Sequence, residues 1–521
     1  MRSRNEKIFL MLSCSVKCSI RKMAHILGIS KSAMHRGKKA IEERNLFPES
    51  RFWETNEGRA FLCRLFVGVL FLFGIKSGIG TRTISEFFKL LHIDKHVGSS
   101  PTTIKNNINK IQEMLEEYFK NQQSKQMSAR SIKIVGGADE TFFNEMILVF
   151  MDLASGYIFV EETADDRCYK TWKDKVQSIV DKFGIKIEYI VSDRAKALIK
   201  LAEKGFGCLS IPDLFHASNE IVKVFGINLG RKKDAIEKKI QKATASLALL
   251  ITLSKDVTQL KKNISQLKEE HVFVNSGIST YKQILHNLSK SVHPFDINNL
   301  NRQTSIGVEL LLNQLMVEIR VLQKEQEIKD PKKRIEKFGK QIKGIASIID
   351  GWWLWAEESL DSDNLTEEIQ QWLLSCLLPA VYWHKQTERT KNPDLKESYL
   401  YANEKAQLEL EQHPLTASLI HEKEWLSWAK WMVSNFQRTS SAVEGRNGWL
   451  SQIHHNGRGL KTKRLRALTI IHNYYIKRSN GSTAAERLFR KKFDDPFEWL
   501  VEHFTELPLA RASKQRDVVT C

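Results

Sequence analysis

The chain has 521 residues, with 80 Lys and Arg against 61 Asp and Glu, a formal charge of +19. That length accommodates several domains, and the basic excess favours a polyanionic partner. Seven cysteines, an odd number with no CxxC pair, argue against a disulfide-stapled secreted scaffold and for a reducing cytosol.

The N-terminus has basic flanks but no long apolar core, so no leader is expected there. Residues 19–44, SIRKMAHILGISKSAMHRGKKAIEER, predict a helix-turn-helix within a DNA-binding domain over 1–50. Ile20, Met23, Ala24 and Leu27 form one helical face, Gly28 supplies the turn, and Ser30 is placed to cap the next helix. That helix carries Lys31, Ser32, His35, Arg36, Lys38 and Lys39, suited to groove and phosphate contacts. The run at 65–75, LFVGVLFLFGI, falls short of the ~20 residues a membrane span needs. Bracketed by Arg64 and Lys76, it reads as a buried helix, and no membrane partner is expected. Residues 51–129 then form a second helical, helix-turn-helix-like module, with TISEFFKLLHID, a turn at HVGSS and a longer helix opening on Pro101. The polar run NQQSKQMSAR reads as a linker into the next domain.

Residues 131–216 organise the rest. A strand runs into Asp139 and Glu140, and two β-rich runs flank the turn at 152–156. A helix follows, then a strand ending at Asp193, another helix, and a short strand before His216. Strand alternation turns Glu140 to the face opposite Asp139, and the turn chemistry makes Asp152 an Asx-turn residue. Carboxylates at neighbouring strand tips grip a hard divalent cation. Mg²⁺ needs only two or three acids plus substrate phosphate, and a pair of ions can activate water and stabilise a leaving oxygen. Glu444, at a helix start far along the chain and amid Arg and Lys, supplies the third acid. Each acid alone has a structural reading: Asp139 ends a strand, Asp193 caps a helix, and Ser441 with Glu444 spells a capping box.

Residues 226–430 read as an all-helical insertion, broken at HPFD, KDPKK and KNPD, with a late half rich in Trp that is expected to be mostly core. Residues 431–480 combine Glu444 with a basic face of Arg438, Arg446, Arg458, Lys461, Lys463 and Arg464, all expected on DNA. Residues 481–521 hold a last helix and a polar tail.

In this order Asp139, Asp193 and Glu444 resemble the three acids of DDE transposases. PDLFH, with Asp213 and His216, is similar to the Asp-x-x-His motif of hAT-like and Mutator-like members. The resemblance covers about residues 130–225 and 430–480, and the insertion between them by position and helicity. It implies a multidomain α/β protein whose ribonuclease-H-like core (130–225 and 431–480) is interrupted by a helical insertion. It also implies two Mg²⁺ or Mn²⁺ ions on Asp139, Asp193 and Glu444, with His216 and Asp213 as active-site assistants. The implied activity is strand cleavage and strand transfer at the ends of an insertion sequence. The implied partners are double-stranded DNA, as element ends and target, and further copies of the chain, in the cytoplasm. A non-catalytic DNA-binding regulator needs only the N-terminal modules and the charge, and a nuclease of the same fold needs no joining step; these are the alternatives.

Overall fold

The computed structural model describes residue 8, residues 18–126 apart from 45, 48 and 54, residues 131–361, residues 365–508 and residue 510. Among the described residues, runs rich in Val and Ile form five strands: β1 (Ile132–Phe142), β2 (Met146–Asp152), β3 (Ile158–Ala164), β4 (Ile185–Ser192) and β5 (Leu209–Pro212). They make one sheet in the order β3-β2-β1-β4-β5. β1, β2 and β3 pair antiparallel, whereas β4 pairs parallel to β1 and β5 parallel to β4. The protein is thus mixed α/β, with one small mixed sheet among many helices. Parallel neighbours need a crossover. The helix Tyr169–Phe183 supplies it between β3 and β4, ending on Gly184 in the left-handed region (φ +60°). The β2–β3 turn is the Asx turn expected at Asp152. One carboxylate oxygen accepts from Val135 N at 3.1 Å and the other from Ser155 N at 2.8 Å.

Alternation divides the sheet between two cores. Val135, Val149, Met151, Tyr189 and Val191 pack on one face with the helices of the insertion. Ile134, Ala138, Leu148, Phe150, Ile187 and Ile190 pack on the other, with the helices Pro101–Gln126 and Thr462–Tyr474. Residues 226–430, expected as an insertion, therefore share their core with the sheet. The helix Leu214–Thr252 runs unbroken across the expected boundary at 225–226. Trp352, Trp353, Trp355, Trp372 and Trp383 are fully buried, as expected of core; Trp352 Nε1 donates to Met432 O at 3.1 Å.

β4 contains an irregularity that matters for the site. Ile134 pairs with Ile187 but Val135 pairs with Tyr189, so Glu188 is an extra residue, a β-bulge. Ahead of it Ile185 and Ile187 face one core, and beyond it Tyr189 and Val191 face the other. The phase change aims the strand's end, Asp193, at the face that Asp139 shares with Val135.

At the N-terminus the helices Ile20–Ile26 and Lys31–Arg44 are joined by a turn with Gly28 at φ +63°. Ser30 caps the second, accepting from Ala33 N at 3.2 Å. Met23, Ala24 and Met34 are buried with Ile8. Lys31, Ser32, His35, Arg36 and Lys39 are exposed on the far side, and Lys38 pairs with Glu42 at 3.7 Å. The run expected to be short of a membrane span belongs to a longer element. Asn56–Lys76 is a 21-residue helix, long and apolar enough to cross a membrane by length and composition. In the fold its Leu62, Phe66, Phe71 and Ile75 lie in the second core, and Phe71 meets Tyr475 edge-on at 4.9 Å. The helix Pro101–Gln126 continues through the first part of the expected linker. Residues 127–130 and the tail from 511 lie outside the described residues.

Candidate active site

Asp139 lies near the end of β1 and is partly buried; Asp193 follows β4 and is exposed. Asp139 lies within reach of the charges of both Asp193 and His216. Burial, reinforced by the like charges of Glu140 and Asp193, pushes the Asp139 carboxyl up to about 6, partly offset by a backbone N–H and by His216. Glu140 points to the other face, as expected, and pairs with Arg167. Asp193 Oδ1 accepts from Ala195 N at 2.9 Å. The next residue, Arg194, sits in the left-handed region at φ +66°, a strained conformation for a side chain of its size.

Glu444 reaches this face through a chain of anchors. The segment returning from the insertion is held first by the buried Tyr189, whose hydroxyl donates to Asn435 O at 2.6 Å and accepts from Gln437 N at 2.9 Å. Leu214 N then donates to Arg438 O at 2.9 Å. Asp213 completes the clamp. Its Oδ1 accepts from Phe215 N and His216 N, capping the helix Leu214–Thr252, while its Oδ2 accepts from Ser440 N at 2.6 Å and from the Ser440 hydroxyl. One buried carboxylate thus ties together the starts of two helices. The second of these, Ser441–Ile453, crosses β1 where Gly137 leaves room. A Cβ there would lie 2.4 Å from Leu153 Cδ2 and 2.9 Å from Val443 Cγ2.

The capping-box reading of Glu444 does not hold. Its side chain reaches His216, with Oε1 2.7 Å from Nε2, and Ser440 makes no side-chain cap. Asp213, His216 and Glu444 bring ligand atoms within 4.8 Å of one another; Asp139 and Asp193 are outside that group. Both oxygens of Asp213 accept from N–H and O–H donors of the two helix starts. Of the expected cluster, Glu444 meets His216 and Asp139 meets Asn447 and feels the charges of Asp193 and His216, but the three acids do not come within that spacing of one another.

Asn447 was not anticipated from sequence. One helical turn beyond Glu444, its Nδ2 donates to Asp139 Oδ2 at 2.8 Å, and its buried Oδ1 has no hydrogen-bond partner among the described residues. The i, i+3 spacing from Glu444 is the signal that was available. Beside it opens a cavity of about 480 Å³ between the β1–β2 turn and the end of this helix, lined by Phe142, Phe143, Asn144, Asn447, His454 and His455 among others.

Several cations expected on DNA are corrected. Arg446 is buried and forks onto Glu161 at 2.7 and 2.6 Å, with Thr469 also donating to that carboxylate. Arg464 is buried and donates to Gly459 O and Ile75 O. Arg438 is partly buried, its guanidinium donating to Ser289 O and Val292 O. Backbone carbonyls and a buried acid claim these three. Lys461 and Lys463 are exposed, Lys463 pairing with Glu113; the side chain of Arg458 lies outside the described residues.

A family model described as "Family of unknown function (DUF6399)" matches residues 373–516. That segment holds Glu444 and Asn447 but neither Asp139 nor Asp193. No curated protein matches the chain.

Proposed function

We propose that this protein is a DDE-type DNA transposase, cutting DNA at the ends of a mobile element and joining the freed 3′ end to a target, with a ribonuclease-H-like core as its catalytic domain. What carries the reading is that a remote helix brings Glu444 to His216 and Asn447 to Asp139, the strand-end carboxylate that also feels the charges of Asp193 and His216. A β-bulge, a glycine and a double helix cap all serve that meeting. A non-catalytic DNA-binding protein has no use for such a gathering. The strand order β3-β2-β1-β4-β5 supports the fold assignment, and the exposed basic helix Lys31–Arg44 supports recognition of duplex DNA by a helix-turn-helix.

The donor set suits a hard divalent cation. It consists of carboxylate oxygens, with the orphaned amide oxygen of Asn447 beside Asp139. Asp139, Asp193 and Glu444 would hold Mg²⁺ or Mn²⁺, which supplies charge neutralisation and an activated water or 3′-hydroxyl at the phosphodiester. Asn447 orients Asp139, and His216 holds Glu444 until substrate arrives. Asp213 keeps His216 and Glu444 in reach of each other. No covalent protein intermediate is needed, so no serine or tyrosine nucleophile is assigned. The acting form is a homo-oligomer on DNA.

The test is metal-dependent cutting of DNA taken from either side of the coding sequence. Wild-type protein with Mg²⁺ should leave a 3′-hydroxyl, and chelation should abolish cutting. Asp193→Asn should lose activity by orders of magnitude while still binding DNA, since each 1.36 kcal/mol of lost metal activation is tenfold in rate. Full cleavage by Asp193→Asn, or cleavage that survives chelation, would refute the proposal.

A further inference from the structure

Past Asp139, β1 turns into β2 beside the cavity of about 480 Å³. Thr141, which lines it, shares a face with Asp139 by strand alternation and lies about 7 Å further along. Asn447 belongs to both places: its Nδ2 donates to Asp139 Oδ2 at 2.8 Å, and it lines the cavity. Beyond Ser441–Ile453 the helix widens into a π turn, His454–Arg458, and the successive residues His454 and His455 both line the cavity. The His454 ring stacks on Phe143 of the β1–β2 turn, with centroids 4.9 Å apart and planes 19° from parallel. His455 meets His454 edge-on at 5.5 Å.

Two polar atoms on this wall lack what burial demands. Asn447 Oδ1 and His454 Nδ1 are buried with no hydrogen-bond partner among the described residues, a cost that a ligand would remove. A carboxylate only accepts, so the NH₂ end of the Asn447 amide must face Asp139, and the oxygen is the end left for a ligand. The waiting groups are thus an obligate acceptor and an imidazole nitrogen that donates or accepts according to its tautomer. No Asp, Glu, Lys or Arg lines the cavity among the described residues. Its chemistry therefore suits neither a cation nor a phosphate. It suits an uncharged ligand, flat enough to lie against the Phe143–His454 stack, with N–H and ring-nitrogen groups on its edge. A nucleobase has all of these properties, and enzymes that take a base out of the stack read it by edge hydrogen bonds and aromatic contact.

We infer that this cavity receives one unpaired base of the bound strand, laid on Phe143 and His454 with an N–H turned to Asn447 Oδ1, while a phosphate beside that base lies at Asp139. Asn447 then couples recognition to the reacting centre, holding the carboxylate with one end of its amide and the base with the other. The class of ligand follows from the cavity. Its carrier, a DNA strand rather than a free nucleoside, rests on the proposed function, which puts the phosphodiester at Asp139.

Photocrosslinking of full-length wild-type protein, in EDTA so that nothing is cut, tests this without any variant. The probe is DNA spanning the junction between the flank and the coding element, with 5-iodouracil replacing one base at a time. One position near the junction should crosslink to Phe143, His454 or His455, mapped by mass spectrometry. At that position 2-aminopurine should change its fluorescence several-fold on binding, as a base leaving the duplex stack does. Phe143→Ala and Asn447→Leu should each abolish most of that change while anisotropy still reports DNA binding, and Phe143→Trp should retain it. Crosslinks that map elsewhere at every position, or a fluorescence change untouched in both variants, would overturn the inference. So would adenosine bound in the cavity with no strand position crosslinking there, which would assign it to a free nucleoside. A base crosslinked in the cavity of a protein that never cuts with Mg²⁺ would uphold the pocket and defeat the proposed function; cutting with no such crosslink would do the reverse.

Discussion

Arg446 and Asn447 are adjacent on one helix and face opposite tasks. Arg446 is a structural cation: taking its charge out of water is offset by the fork to Glu161 and by Thr469. Removing one partner strands the other, so Arg446→Met should destabilise the fold by about 3–5 kcal/mol, measured by denaturant unfolding. Replacing both members with apolar residues should recover much of the loss. A single variant as stable as wild type would show that the pair is dispensable. A buried histidine nearby gives a pH signature. His472 Nε2 donates to Gly156 O at 2.9 Å, and burial, then the charge of Arg446, pushes the imidazole down to about 4. Its folded pKa is below the unfolded value near 6.5, so the neutral form stabilises the fold fully above about 6.5. That contribution fades as pH falls toward 4, by up to about 3 kcal/mol. His472→Gln keeps a donor without titrating. Relative to it, wild-type stability should decline between pH 6.5 and 4 and stay level above 7; a pH-independent difference would contradict the assignment.

At the scale of elements, the site depends on how closely the helix Ser441–Ile453 approaches β1. Gly137→Val should push that helix outward against Leu153 and Val443, costing about 1–3 kcal/mol of stability. It should also lower cleavage far more than DNA binding, which the proposed function assigns to the N-terminal helices. Equal losses in both, measured side by side, would mean that the approach does not set the site. The strand sequence, the turn at Asp152 and the N-terminal turn at Gly28 were all legible, because local propensity and alternation decide them. The opposite facing of Asp139 and Glu140 was legible for the same reason. The bulge at Glu188 was not, since nothing in a run of alternating Ile and Val marks where pairing slips by one. Nor was the fate of Arg446: a charged residue on a basic stretch reads as solvent-facing until its partner, 285 positions away, is known to lie beneath it. The cap function of Asp213 was visible as a possibility at one helix, but its second bond, to Ser440, is a tertiary fact.

Over the whole molecule, the sheet is a middle layer whose two faces belong to different parts of the chain. Residues 226–430 are therefore no removable appendage; they cover one face and lead into the segment that carries Glu444. The shared core also explains why the expected boundary at 226 has no structural counterpart. The proposed function requires that Asp139 and Asp193 from the sheet and Glu444 from far along the chain make a single divalent-cation site. Anomalous diffraction from crystals grown with Mn²⁺ and a DNA end tests it most directly. The account predicts a peak bonded to Asp139 and Asp193 and reached by Glu444, lost in Asp193→Asn crystals. A peak at Asp213 and His216 alone, or none while the DNA is bound, would contradict it.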